Sequence, residues 1–239
     1  MLVLAVDTAT PAVTAGLVEL EQGADPAIPA QTRTVASRVR VDPRAHAEVL
    51  TPQILECLTE AGRSRTDIAA LVVGVGPGPF TGLRVGMATA AAFGDALGIP
   101  VYGVCSLDAI AADAAIDLAQ RPEAAVLPPT SELLVVTDAR RREVYWARYR
   151  EGARVAGPEV CKPADLDAVQ ATAIAGSASH VDFFDLPVLP AETPSPVGLV
   201  RVAAAEVLAR SVPEPLVPLY LRRPDAVENA YRTLDRTGA

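Results

Sequence analysis

Residue types that do chemistry are sparse in this 239-residue sequence, and few fall at spacings that enzymes use. The two histidines, His46 and His180, are far apart and share no metal-ligand spacing. Asp7 and Thr8 follow the first apolar segment, and a carboxylate and a hydroxyl at a strand end can contact a nucleotide phosphate or its Mg²⁺. The pair also fits a turn closed by side-chain hydrogen bonds, so it is a weak cofactor-binding candidate.

A glycine- and proline-rich segment, Gly76-Pro77-Gly78-Pro79, lies between a predicted strand and a predicted helix. Backbone N–H groups at a helix N-terminus bind anions, but the two prolines remove two of these donors. No Gly-Lys-Ser/Thr follows, so the segment is not a P-loop. We interpret it as a stiff corner between strand and helix. The sequence predicts no catalytic residue and no metal site.

Composition narrows the classes of partner. The net charge of −8 does not attract nucleic acid by its overall field, and the compact basic segments are Arg140–Arg142 and Arg222–Arg223. No apolar run approaches the roughly 18 residues of a membrane span. The opening Met1–Asp7 lacks a basic start, which favours a buried strand over a signal peptide. We expect a cytoplasmic protein with no membrane partner, whose three scattered cysteines are reduced.

The first 105 residues predict the order β-β-β-α-β-α-β, which is a mixed sheet that begins antiparallel and continues through right-handed crossovers. The predicted strands are Leu2–Val6, Val13–Leu20, Gln31–Val39, Ala69–Val75 and Ile99–Val104. The predicted helices are Ala47–Ala61, stopped by Gly62, and a long helix that ends at Leu97 before Gly98.

The second half carries weaker patterns. They predict strands at Leu133–Asp138, Glu143–Tyr149, Val155–Val160, Ala171–Ala175 and Pro187–Leu189, helices at Leu107–Ala119 and Pro196–Ala209, and a helical turn at Asp165–Gln170. The loop Pro122–Pro129 is a candidate boundary between lobes. We expect residues 1–105 plus 195–211 to form one lobe, 106–194 a smaller α/β lobe, and 212–239 an extended, partly disordered tail.

The helix that ends at Leu97 is unusually smooth. Gly82, Gly86 and Gly94 lie among five alanines, although glycine within a helix costs about 1 kcal/mol relative to alanine. Several together indicate close approach of another backbone. Either the helix is fully buried within its lobe, or it packs on a second protein.

Five motifs together resemble the TsaB (YeaZ) family over nearly the whole chain. They are Val6-Asp7-Thr8-Ala9-Thr10, His46-Ala47-Glu48-Val49-Leu50-Thr51-Pro52, Gly76–Gly86, Asp138–Tyr145 and Pro218-Leu219-Tyr220-Leu221-Arg222. The resemblance implies the actin/Hsp70/sugar-kinase-like (ASKHA) α/β fold, with two lobes of mixed sheets flanked by helices. It implies the dimerization subunit of the bacterial machinery that makes threonylcarbamoyladenosine in tRNA.

The resemblance also implies partners. These are a catalytic TsaD-type paralogue, a TsaE-type ATPase, a homodimer when the paralogue is missing, and tRNA only through the complex. The resemblance is also compatible with ATP or ADP at the complex interface. In this family the first two helices form the pairing surface. The contact candidates are Leu50, Ile54, Leu58, Leu83, Arg84, Met87 and Ala91.

Two alternatives remain open. In the catalytic relatives a His-x-x-x-His metal pair follows the strand after the smooth helix, and Ser106 and Ile110 occupy those places here. This difference disfavours an M22-type metalloprotease and agrees with a non-catalytic scaffold. The other alternative is an ATP-dependent small-molecule kinase that uses Asp7, Thr8 and the Gly-Pro-Gly corner.

Overall fold

A computed structural model describes residues 1–23, 30–42, 45–120 and 131–222. The predicted boundary loop at Pro122–Pro129, Arg223 and the rest of the predicted tail lie outside these residues. Within the described part, no helix is both long and apolar enough to cross a bilayer.

Nine strands and five α-helices make up the described part of the chain. The strands are β1 Leu2–Asp7, β2 Ala12–Glu21, β3 Gln31–Val41, β4 Ile68–Gly74, β5 Val101–Val104, β6 Glu132–Asp138, β7 Val144–Arg150, β8 Ala153–Cys161 and β9 Ala171–Gly176. The helices are α1 His46–Glu60, α2 Phe80–Leu97, α3 Ser106–Gln120, α4 Ala178–Val181 and α5 Pro196–Ala209.

The first sheet, sheet 1, has the strand order β3-β2-β1-β4-β5. β1 pairs antiparallel with β2 and parallel with β4, and β4 pairs parallel with β5, as the predicted element order requires. Every residue of β1 is buried, because helices cover both faces of the sheet. Leu2, Leu4 and Val6 face α1 and α2, whereas Val3 and Ala5 face α5. The helices α1 and α2 therefore lie on the same face of sheet 1, against Leu2, Leu4 and Val6.

The second sheet, sheet 2, has the order β8-β7-β6-β9, again with an antiparallel hairpin beside a parallel pair. Side chains of α3 contribute to the core of this sheet, and α3 also packs against α5. The backbone N–H and the hydroxyl of Ser195, the N-cap residue of α5, donate to the Asp113 carboxylate on α3. Two mixed sheets flanked by helices confirm the predicted ASKHA-like α/β class. The division of the chain at 105 and 195 stays a prediction.

The helix stops were predicted correctly, and three elements of the second half differ. Gly62 and Gly98 adopt φ of 61° and 65° after α1 and α2, which glycine does without steric cost. The predicted helical turn at Asp165–Gln170 is wrong, because a short 3₁₀ turn lies earlier, at Pro163–Asp165. Pro187–Leu189 forms only an isolated bridge, and the four-residue α4 was missed because it is too short for a periodic pattern.

Candidate functional site

The turn that follows β1 is held entirely inside the protein. Asp7 is 0% exposed, its Oδ1 accepts a hydrogen bond from the Ala9 N–H at 2.8 Å, and its Oδ2 accepts one from the Ser106 hydroxyl at 2.5 Å. His46 Nε2 lies 3.0 Å from the Thr10 carbonyl oxygen. The predicted turn with a side-chain-to-backbone hydrogen bond is therefore present, and both carboxylate oxygens of Asp7 are engaged within the chain.

Thr8 joins this turn to α2. Its hydroxyl donates to the Gly82 carbonyl oxygen at 2.7 Å and accepts from the Gly86 N–H at 3.0 Å. Gly82 and Gly86 are four residues apart, so these two backbone groups would pair with each other in an uninterrupted α-helix. The weak cofactor-binding candidates Asp7 and Thr8 thus lie in the core, where they position the start of α2.

Replacing Thr8 with valine removes both hydrogen bonds while conserving the shape of the side chain. We expect the free energy of unfolding to fall by about 1–2 kcal/mol, because the bonds lost are buried. Urea unfolding measures it, with the exposed Thr59→Val on α1 as the matched control. Equal stability of the two variants would contradict the joining role of Thr8.

The glycines of the Gly-Pro corner and of α2 fit against the same turn. A Cβ at Gly78 would lie 2.1 Å from the Ala9 carbonyl oxygen, and one at Gly82 would lie 2.5 Å from that of Thr8. A Cβ at Gly86 would lie 2.4 Å from the Thr8 hydroxyl oxygen. The glycines on this side are therefore required by close packing inside the lobe. The helix is not fully buried, however, because its opposite side is exposed.

Burial raises the pKa of Asp7 to about 6, against the opposing hydrogen bonds from Ser106 and Ala9. Because desolvation penalises the charged carboxylate, the folded state holds this proton at a pH where the unfolded chain has released it. Asp7 therefore stabilises the fold most fully below pH 4, and its contribution is lost as the pH rises through 6.

Asp7→Asn removes this ionisation while keeping an oxygen that accepts the Ala9 N–H. Between pH 4.5 and 7.5 we expect wild-type stability to fall relative to that of the variant by about 2 kcal/mol. Denaturant unfolding at four pH values across the range measures the difference. Parallel stability profiles for the two proteins would show that Asp7 does not titrate in this range.

Five of the seven predicted partner contacts are buried in the chain's own core, so their assignment as contacts is corrected. They are Leu50, Ile54, Leu58, Leu83 and Met87. These large side chains recur on the sides of α1 and α2 that face sheet 1, and burying each one stabilises by roughly 1.5–3 kcal/mol. Packing against sheet 1 covers these five side chains. Of the predicted set, only Arg84 and Ala91 are exposed.

The exposed sides of the two helices form a surface that we name the α1–α2 face. Its exposed residues on α2 are Phe80, Thr81, Arg84, Ala88, Ala91, Ala92, Asp95 and Ala96, and on α1 they are Ala47, Glu48, Thr51, Pro52, Leu55, Glu56, Thr59 and Glu60. The α2 half carries only two charged residues, whereas a solvent-facing helix normally has a polar outer face. Leu55 is 47% exposed at the α1 side. Because four of the exposed side chains on α2 are alanines, another backbone can approach this surface closely.

An aromatic cluster that the sequence analysis missed lies at the N-terminal end of α2. Phe80 and Tyr220 stack with ring centroids 5.2 Å apart and are 45% and 39% exposed. The Arg84 guanidinium carbon is 3.8 Å from the Phe80 ring centroid, and its Nε donates to the Tyr220 hydroxyl at 3.0 Å. The Pro218–Arg222 motif was the available signal, but Tyr220 is 136 residues from Arg84 and no local pattern links them.

The positions that correspond to the metal pair of the catalytic relatives have structural roles here. Ser106 donates to Asp7, and Ile110 is fully buried in the core beside sheet 2. His180, which is far from His46 in the sequence, has its Nε2 3.6 Å from Asp138 Oδ1. Among the described residues, no three side chains of the metal-binding types come together.

Comparisons with known proteins identify the relatives of this chain. A family model described as TsaD, tRNA N6-adenosine threonylcarbamoyltransferase, matches residues 39–230. An uncharacterized protein of Mycobacterium tuberculosis (strain ATCC 25618 / H37Rv) is 53% identical over 224 residues, which are 94% of this chain and 93% of the relative. The tRNA threonylcarbamoyladenosine biosynthesis protein TsaB of Escherichia coli (strain K12) is 35% identical over 150 residues, which are 63% of this chain and 55% of that protein.

A solved structure extends the comparison to the fold. YeaZ from Pseudomonas aeruginosa has a TM-score of 0.71 at 25% identity, and the match covers 92% of this chain and 99% of that one. The family model spans β4 and β5 of sheet 1 and all of sheet 2, and the fold and the sequence relatives lead to the same group. This chain belongs to the TsaD family of tRNA N6-adenosine threonylcarbamoyltransferase proteins and, within it, to the TsaB (YeaZ) group.

Proposed function

We propose that this chain is a non-catalytic scaffold subunit in the formation of tRNA threonylcarbamoyladenosine. It pairs with a catalytic TsaD-type paralogue that transfers the threonylcarbamoyl group to the adenosine next to the anticodon. A TsaE-type ATPase joins the pair, and the chain forms a homodimer when the paralogue is missing. The assembly acts in the cytoplasm.

The observation that carries the proposal is the α1–α2 face. Its α2 half offers four exposed alanines, Ala88, Ala91, Ala92 and Ala96, with a single charge near each end of the helix. Partner surfaces are depleted in charge at their centres, as the middle of the α2 half of this face is. The catalytic paralogue shares the family fold and offers the corresponding helices as a matching surface.

The arrangement around β1 supports a scaffold more than a kinase or a metalloprotease. A kinase of this fold needs free carboxylate oxygens near the phosphates and their Mg²⁺, and Asp7 has both of its oxygens engaged by Ala9 and Ser106. A metalloprotease needs ligands where Ser106 and Ile110 stand. These residues stabilise the fold instead of binding a reacting group.

The test combines purified components. The TsaD-type paralogue, the TsaE-type ATPase and a tRNA with the target adenosine are assayed for threonylcarbamoyladenosine, with and without this chain. We expect modification only when the chain is present and a stable pair by size-exclusion chromatography. Modification without the chain, or turnover of ATP by the chain alone, would overturn the proposal.

A further inference from the structure

Neither ring of the aromatic cluster at the N-terminal end of α2 belongs to the hydrophobic cores of the described residues. The rings of Phe80 and Tyr220 stack on each other, yet both side chains stay exposed. Burial of large aromatic side chains is a major source of stability, and here the fold leaves part of that gain unused. Aromatic side chains beside an arginine are typical of interface hot spots, where Trp, Tyr and Arg are enriched. The cluster therefore has the composition of a binding anchor.

Arg84 is oriented by the two rings while part of its guanidinium group is unused. Its guanidinium carbon lies 3.8 Å from the Phe80 ring centroid, and its Nε donates to the Tyr220 hydroxyl at 3.0 Å. Within the described ranges of the chain, no carboxylate pairs with Arg84, and its two Nη atoms donate no hydrogen bond. Planar guanidinium groups bind carboxylates through two parallel hydrogen bonds. The Nη groups are thus available for a carboxylate, in an orientation that the rings already fix.

The segment that carries Tyr220 is fastened on both sides of the ring. Before it, the Leu219 N–H donates to the Val75 carbonyl oxygen at 2.8 Å, and Leu219 packs against the cores of both sheets. After it, Arg222 donates from Nη1 to the Ala139 carbonyl oxygen at 2.6 Å, in the turn between β6 and β7. Because the backbone is fixed before and after Tyr220, little conformational entropy remains to be lost when a partner covers the ring.

The cluster is continuous with the alanine-rich part of the α1–α2 face. Phe80 and Arg84 are exposed residues of that face, and Ala88 follows Arg84 after about one helical turn, which is roughly 5.4 Å along the axis. A partner that covers Ala88 and Ala91 therefore extends to the arginine unless it ends within a single turn. Anchors lie in desolvated pockets surrounded by near-neutral contacts, and the alanines supply such contacts on one side of the cluster.

We propose that Phe80, Arg84 and Tyr220 form an anchor point that receives a carboxylate side chain of the TsaD-type paralogue. The inference rests on the proposed function, and through Tyr220 it adds the C-terminal segment to the pairing surface of the two helices. In the complex, the carboxylate accepts hydrogen bonds from the Arg84 Nη groups, and the partner covers the two rings. Loss of water around the pair strengthens these charged hydrogen bonds, so the anchor fixes the register of the two chains.

Substitution of Arg84 separates the anchor from ordinary surface charge. Arg84→Met keeps the aliphatic stem and removes the guanidinium group. The matched control is Arg201→Met on α5, because Arg201 is also exposed on a helix and its Nε also donates to a hydroxyl, that of Thr32, at 2.9 Å. In isothermal titration calorimetry with the purified paralogue, we expect Arg84→Met to raise the Kd by about 30-fold or more and Tyr220→Leu by about tenfold. The control should keep the wild-type Kd, and the urea midpoints of all variants should stay close to that of the wild-type chain.

Zero-length cross-linking tests for the carboxylate itself. Lys162 is the only lysine of the chain, so Arg84→Lys places an amine at the anchor and Arg201→Lys places one at the control position. A water-soluble carbodiimide couples such an amine to a carboxylate that it contacts. In complexes formed with saturating paralogue, mass spectrometry should show position 84 joined to an aspartate or glutamate of the paralogue, and position 201 joined to none.

The Kd of each complex for an unmodified tRNA transcript is measured in parallel, and three results would overturn the inference. The first is a wild-type Kd for the paralogue in both Arg84→Met and Tyr220→Leu, and the second is a saturated complex without a cross-link from position 84. The third is weaker binding of tRNA with unchanged pairing, which would assign the rings to stacking on RNA bases. Absence of pairing by the wild-type chain would overturn the proposed function as well, whereas pairing that survives the substitutions overturns this inference alone.

Discussion

Ala91→Arg is expected to abolish pairing with the TsaD-type paralogue while leaving the chain folded. Ala91 lies in the middle of the α2 half of the α1–α2 face, where an arginine would place a bulky charge against the partner. Interface centres tolerate such changes poorly, and we expect the Kd to rise by about 100-fold or more. Isothermal titration calorimetry with the purified paralogue measures it.

The control uses the opposite face of the same sheet. Ala205 is an exposed alanine on α5, and Ala205→Arg introduces the same side chain in the same kind of helix. We expect this variant to pair normally. Equal affinities for the Ala91 and Ala205 variants would show that the α1–α2 face is not where the partner binds.

Gly74→Ala is expected to have the largest effect on stability. A Cβ at Gly74 would lie 1.7 Å from Asp7 Oδ2 and 2.7 Å from the Ser106 hydroxyl oxygen. The Asp7 carboxylate is held at both oxygens and cannot move aside without breaking a buried hydrogen bond. We expect a loss of about 3 kcal/mol in the free energy of unfolding, or no soluble protein.

A second glycine separates the clash from the effect of backbone conformation. Gly62 has φ of 61° and no atom within 4 Å of an added Cβ, so Gly62→Ala should cost only about 1 kcal/mol. Urea unfolding of both variants compares them. If Asp7→Ala is added, the cost of Gly74→Ala should shrink, because the clashing carboxylate is gone. Strictly additive costs would contradict the proposed contact.

The sequence was sufficient to predict most of the strands in sheet 1. The apolar run at Leu2–Val6 predicted a buried strand, and the run at Ala69–Val75 predicted a strand buried on both faces. Neither strand lies at an edge of the sheet. Glycines after the two helices predicted where each one stops. These features depend only on local sequence. The structure confirms the predicted order β-β-β-α-β-α-β.

The candidate site was less predictable, because it depends on contacts between distant segments. Leu50 and Leu83 looked like partner contacts, yet the sheet buries them, and the sequence does not say which side of a helix faces the sheet. The glycines of α2 contact the turn at Thr8, 74 to 78 residues earlier in the chain. Arg222 braces a turn 83 residues away. Only the folded chain brings these groups together.

The central claim is that the catalytic paralogue covers the α1–α2 face. Thiol labelling tests it directly, with Ala91→Cys or Ala205→Cys introduced into a Cys161→Ser chain. The remaining cysteines, Cys57 and Cys105, are buried. Burial raises the pKa of each to about 11, so they should react slowly with maleimide.

We predict that the paralogue slows maleimide labelling at position 91 by at least about tenfold, because a buried interface excludes the reagent. Labelling at position 205 should be unchanged. Rapid labelling at position 91 in a complex that forms and modifies tRNA would contradict the claim.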